Sequence, residues 1–285
     1  MGLGTDHITV TTAANFLPEL WALDVIEAAE SKLVMANLVA RFDEVARDAG
    51  ESIVLPNVSN FEAKNKAASS EVTLQATAEN KITLSLDKHK EVSFFIEDIA
   101  ATQAKADLRT IYTKKAGYAI AKAIDSDLFA LCSGLSKSAG TGGSSTDLDE
   151  SILQAVNYLD EADAPDDDRF MVISPDAKQA MLAIDKFIMS GYKMQSEPDA
   201  PVVTGRFGDI YGMTVYVSSN VPQDGTQTIS THNLVFQRGA FGLAIQLGPR
   251  VQANYVPQYL GTLVTVDVIY GVCELRDSYA CQILT

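Results

Sequence analysis

The stretch EVSFFIEDIAATQAKADLRTIYTKKAGYAIAKAIDSDLFALCS, Glu91 to Ser133, changes its apolar period partway along. Its first residues alternate, with Val92, Phe94 and Ile96 set against Ser93 and Phe95, which is the two-residue period of a strand. Further on, Leu108, Tyr112, Ala116, Ile120, Ile124 and Leu128 recur four apart, and Ile111, Ala119 and Ala123 fill the same face, which is the period of a helix. The spacing predicts one helix that starts near Glu97 or Asp98, whose carboxylates complement the positive helix end, and runs to about Ser133. At 1.5 Å per residue such a helix is a rod of about 50 Å. A compact globule of this chain length is itself only about 50 Å across, so the rod suits a flat, elongated subunit better than a rounded enzyme. Gly117, inside the rod, costs about 1 kcal/mol relative to alanine and is expected at a bend or a close packing contact.

Upstream, Ser52 to Leu55 is a short apolar strand, and Ile82, Leu84 and Leu86 alternate with Thr83, Ser85 and Asp87. Between these arms Asn57 to Asn80 is rich in Ala, Ser, Asn, Lys and Glu; its sizeable apolar side chains are Val58, Phe61, Val72 and Leu74. The reading is a long hairpin with a weakly apolar tip. A two-stranded ribbon is marginal in water, so whatever the rest of the chain leaves uncovered must be covered by another copy. Before the hairpin, a periodic stretch from Leu17 to Leu38 carries Leu20, Leu23, Ile26, Leu33 and Val34, with Pro18 suited to its first turn. Trp21, the sole tryptophan, is an anchor either for this helix or against a neighbouring chain, where aromatic residues are enriched.

Downstream, Ser138 to Ser145 is a Gly/Ser turn without the GxxxxGK[ST] order of a phosphate loop. Thr146, with Asp149 three residues on, opens a helix through Ile152, Leu153, Val156 and Leu159 that ends before Pro165. Asp166, Asp167 and Asp168 do not follow a calcium-loop pattern and read as a solvated turn. A strand over Arg169 to Ser174, a helix opened by Pro175 and a strand over Gly212 to Ser218 make this part an α/β lobe. From Asn233 the chain is strand-rich again, with separate runs at Leu234 to Phe236, Gly239 to Leu247, Val251 to Val256, Leu263 to Cys273 and Tyr279 to Leu284.

Composition excludes several classes. The 285 residues, 47% of them hydrophobic, can bury a core, and no run approaches the ~18 apolar residues of a membrane span. Met1 to Val10 has no basic cluster ahead of an apolar run, unlike a secretory signal. With 37 acidic against 22 basic residues, a formal charge of −15 repels a phosphate backbone. Cys132, Cys273 and Cys281 form neither a CxxC pair nor an even framework and read as buried hydrophobes. His7, His89 and His232 are scattered, and GxSxG and GxGxxG are absent, so the sequence nominates no catalytic residue, no cofactor and no metal ligand.

In this order, the pieces resemble the major capsid protein of tailed bacteriophages, the Hong Kong 97-type fold that encapsulins share. The likeness is carried by the Leu17 to Leu38 helix, by EVSFFIEDIA at Glu91 running into the long helix, and by RFMVISPDAKQAM at Arg169 to Met181. LVFQRGAFGLAIQ at Leu234 and GTLVTVDVIYGVCELRDSYACQIL at Gly261 complete it. The resemblance implies an α+β fold in five parts: an N-terminal arm and helix (1–50), an extended hairpin or E-loop (51–96), a spine helix of a peripheral domain with its linker (97–146), an axial domain (147–246), and closing strands of the peripheral domain (247–285). It implies a self-assembling structural protein of the virion, not an enzyme, whose hexamers and pentamers close into an icosahedral head around double-stranded DNA held without sequence-specific contacts.

Assembly is expected in the host bacterial cytoplasm, with a portal, a separate scaffolding protein and a possible decoration protein as partners, and without a membrane. Trp21, Phe61, Lys64, Lys66, Glu71, Val72 and Leu74 are the expected intersubunit contacts. Lys64 and Lys66 lie where some relatives weld subunits through a lysine and an asparagine, but nothing marks a partner asparagine here. The alternatives are an encapsulin-like compartment and, from another class, a soluble α/β enzyme or ligand-binding protein.

Overall fold

The computed structural model describes residues 33–47, 50–58, 63–66, 68–72, 74–75, 79–98, 108–140, 148–184, 208–223 and 231–285. Among them run three sheets. The first has four strands in the order β1 (Ala40–Arg41), β10 (Phe241–Val256), β11 (Gly261–Glu274) and β4 (Lys88–Glu97). The second has six, in the order β5 (Ser138–Ala139), β12 (Ala280–Leu284), β9 (His232–Gln237), β6 (Arg169–Ile173), β8 (Met213–Val217) and β7 (Asp209–Ile210). The third is a ribbon of β2 (Ser52–Val58) and β3 (Glu79–Ser85).

Helix α3 (Leu108–Ala130) lies on the four-stranded sheet. Its four-residue repeat has the expected consequence: Ala116, Ile120, Ile124 and Leu128 are buried against Val266, Val268, Tyr270, Phe241 and Leu243. The stripe stops short of Tyr112, which is half-exposed and leans on Phe94 with ring centroids 5.6 Å apart. The helix does not begin at Glu97. That residue is the last of β4 and faces Gly261 of β11, because the alternating pattern from Val92 onward has a full-length antiparallel partner to pair with. The described rod is 23 residues, about 34 Å, followed by a short 3-10 turn, Leu131–Gly134. A Cβ added at Gly117 would meet no atom within 4 Å, so the glycine marks no close contact.

In the six-stranded sheet, α4 (Leu148–Glu161) and α5 (Pro175–Met181) cover one face through Leu148, Ile152, Ala155, Leu159, Ala177 and Met181. Ser174 caps α5, its Oγ accepting from the Ala177 N–H at 3.1 Å, with Pro175 in the first turn as its fixed φ favours. The acidic turn before β6 neutralises a buried arginine. Arg169 reaches Asp160 at 2.7 Å and Asp166 at 2.9 Å, and it also donates to the carbonyls of Ala164 and Pro165.

Strand pairing departs from the sequence reading in two further places. The two segments read as Gly239 to Leu247 and Val251 to Val256 are one strand, β10, kinked by register shifts around Leu247 and Arg250. Pro249, which has no N–H to give, sits at that irregularity, as proline in a strand must. The last strand, β12, does not close the four-stranded sheet. It pairs with β9 and β5, because Cys281 and Ile283 complete the core beneath α4 and α5. One cluster spans both large sheets, joining Val172, Leu234 and Phe236 to Val266, Val268 and Tyr270.

Candidate assembly interface

The ribbon is anchored only at its root. There Ile53, Leu84 and Leu86 bury themselves with Ala46 and Ala244, and Phe42, Leu55 and Cys273 pack partly against them. Leu84 is 0% exposed. The close approach depends on Gly271 of β11: a Cβ there would collide with the carbonyl of Ser85, the last residue of β3. The Leu86 N–H donates to the Glu51 carbonyl at 2.9 Å, closing the base.

Away from the root the ribbon is bare. Val54 is exposed on β2, and in the tip Val72 is 70% and Leu74 90% exposed. Lys64, Lys66 and Glu71 are exposed beside them. Five of the expected contact residues thus stand on one uncovered element; Phe61 and Trp21, with the Leu17 to Leu38 helix up to residue 32, lie outside the described residues. Burying Val72 and Leu74 against a partner is worth about 1.5–3 kcal/mol each. That gain goes unrealised in the isolated subunit.

A second surface escaped the sequence reading. At the far end of the four-stranded sheet, the turn between β10 and β11 carries Tyr259, 70% exposed, and Leu260, 65% exposed. Val251, Tyr255, Phe95 and Leu263 extend the apolar surface. Phe95 and Tyr259 meet edge to face at 6.2 Å. Asp98 holds the corner: its N–H donates to the Leu260 carbonyl at 3.0 Å, and its Oδ2 accepts from the Tyr255 hydroxyl at 2.9 Å. That hydrogen bond to Asp98 raises the Tyr255 phenol above its usual range. Leu260 adopts φ 46°, a left-handed conformation that a leucine seldom takes. The signal was there to read: YVPQYLGT puts two tyrosines and a leucine in a turn, where polar residues are the rule.

The titratable groups hold elements together. Asp127 of α3 accepts from the Tyr270 hydroxyl at 2.7 Å and pairs with Lys88 at 3.1 Å. Burial works to raise its carboxyl, but these donors outweigh it and hold the group below the usual range. Asp267 takes Arg250 on both oxygens, at 2.8 and 2.9 Å, and His89 at 3.2 Å; the Arg250 hydrogen bonds lower its carboxyl. Burial pushes the thiols of Cys132 and Cys281 up to about 12 and that of Cys273 to about 11, so none is a ready nucleophile. Among the described residues no group of His, Cys, Asp or Glu could hold a metal ion, and no helix is long and apolar enough to cross a membrane. An open polar groove beside α4 is lined by Ser138, Ser151, Gln154 and Asn157 with the single carboxylate Glu150, without a base or nucleophile beside it.

A subunit whose charged pairs are spent on tying elements together, and which holds out an apolar ribbon and an apolar sheet end that its own chain leaves bare, is a self-tiling structural protein. The family model for phage capsid protein matches residues 52–279, and the chain belongs to that family. The fold agrees. A capsid chain of Mycobacterium phage Che8 superposes with a TM-score of 0.80 at 22% identity, covering 94% of this chain and 97% of that one. The capsid of the cyanophage P-SCSP1u gives 0.80 at 17% identity over 99% and 96%, and the mature capsid of bacteriophage PhiM1 gives 0.75 at 11% identity over 94% and 91%. No curated protein matches by sequence. The Hong Kong 97-type fold is that of these neighbours, and the protein is a structural major capsid protein of the virion shell, not an enzyme.

Proposed function

We propose that this chain builds an icosahedral phage head from hexamers and pentamers, in which each copy's ribbon is completed by a neighbour. The exposure of Val72 and Leu74 on a ribbon whose root is fully buried at Leu84 carries this reading. Trp21, Phe61, Lys64, Lys66, Glu71, Val72 and Leu74 are the contacts assigned to it. In this reading residues 1–50 are the arm, 97–146 the spine helix and its linker, and 147–246 the axial domain. The strand pairing refines the remainder: the E-loop proper is β2, β3 and their tip, while β4 and the β10–β11 pair form the peripheral sheet. Its formal charge of −15 suits a wall that repels packaged double-stranded DNA rather than gripping it. A portal, a separate scaffolding protein and a decoration protein complete the assembly in the bacterial cytoplasm.

Amide exchange tests the ribbon's role. Residues 52–75 should exchange rapidly in the free subunit and slowly in the closed particle, while Leu84 is protected in both. Equal protection of the tip in both states would overturn it.

A further inference from the structure

The two bare apolar surfaces differ in charge. The ribbon tip sets Lys64 and Lys66 beside Val72 and Leu74, whereas the far end of the four-stranded sheet sets Glu97 and Asp98 beside Phe95, Tyr259 and Leu260. Each patch alone would repel its own kind and attract the other. Within one chain they do not meet, since Val72, Leu74, Tyr259 and Leu260 all stay exposed. The ribbon is rooted at Gly271 of β11, and the receiving end begins at Gly261 of the same strand, about 33 Å along it. A contact between them is therefore made between copies. It is head-to-tail, because each copy offers one surface of each kind, and such contacts propagate into rings or open lattices.

We propose that the far end of the four-stranded sheet, Phe95, Tyr259, Leu260 and Leu263 with the acidic corner Glu97 and Asp98, is the receptor on a second copy of this chain for the ribbon tip. The proposal rests on the shell reading and names the partner surface within it. Val72 and Leu74 supply apolar contact to Tyr259 and Leu260, and the paired charges set the direction of docking. The occupant is another copy rather than a foreign protein because complementary halves of the contact are both present on the one chain.

Two measurements test it in assembled particles. In the first, Leu74→Cys is combined with Leu260→Cys and particles are mildly oxidised, then run on non-reducing denaturing gels. The native Cys132 and Cys281 are buried, and wild-type particles supply the background. A ladder of multimers is expected, because every copy both gives and receives, and Leu74→Cys with Val45→Cys should give none. Dimers from Leu260→Cys alone would mean that two sheet ends meet each other, and would overturn the proposal. In the second, Lys64→Glu or Glu97→Lys alone should lower particle yield at least tenfold, and the two together should restore it. Wild-type particles that form while the cysteine pair gives no ladder and the reversed pair no rescue would overturn the pairing and leave the shell intact. A wild-type chain that forms no closed particles would overturn the shell reading itself.

Discussion

Asp125, near the C-terminal end of α3, accepts the backbone N–H of Met35 at 2.8 Å across 90 residues of chain. The same oxygen takes the Val34 N–H at 3.2 Å, and the other takes Asn220 Nδ2 at 3.1 Å. The carboxylate is fully buried and ties three elements together: the spine helix, the segment that precedes β1, and the loop after β8. Asp125→Ala strands donors from all three and should cost about 2–4 kcal/mol in denaturant unfolding. Asp125→Asn keeps an acceptor for Val34 and Met35, and should cost about half as much.

The pH dependence of the two buried aspartates of α3 should have opposite signs. Burial raises the Asp125 carboxyl above its ordinary value against its three hydrogen bonds. Between its unfolded and folded values the native state then binds more protons than the unfolded one, so this group adds stability as pH falls. Asp127 is lowered, so its contribution is present above the unfolded value and is lost as pH falls through the folded value. Urea titrations of Asp127→Asn between pH 3 and 7 should show a flatter acid limb than the wild type. Those of Asp125→Asn should show a smaller gain on acidification.

Two glycine substitutions should separate packing from propensity. Gly271→Ala meets the Ser85 carbonyl and must push the ribbon root off β11, at about 1–3 kcal/mol. Gly117→Ala has open space around it in a helix interior and should stabilise by up to about 1 kcal/mol. Thermal melts of the free subunit would rank them.

Two leucines of the ribbon should behave as different kinds of residue. Leu84→Ala opens a cavity at the buried root and should cost about 2–5 kcal/mol of subunit stability. Leu74→Ala removes a side chain that is 90% exposed and should leave the melt unchanged while lowering particle yield. Sedimentation of particles beside melts of the subunit makes the comparison.

Much of this architecture was legible from local pattern. The four-residue repeat from Ala116 to Leu128 and the alternation around Leu84 predict a buried helix stripe and a strand, because side-chain direction follows from backbone period alone. The poverty of apolar residues between Asn57 and Asn80 likewise foretold a ribbon that cannot bury itself. The aromatic sheet end was missed because a turn was read by its proline and glycine rather than by its two tyrosines.

By itself, the sequence determined which segments are helix and strand, that a hairpin stands out from the body, and that no recognisable catalytic motif is present. Only the tertiary structure decided that β4 leaves the ribbon for β11, that β12 crosses to the six-stranded sheet, and that Asp125 binds a segment 90 residues away. Strand and hydrogen-bond partners are chosen by which edges and donors the rest of the chain leaves open, and no local period records that choice.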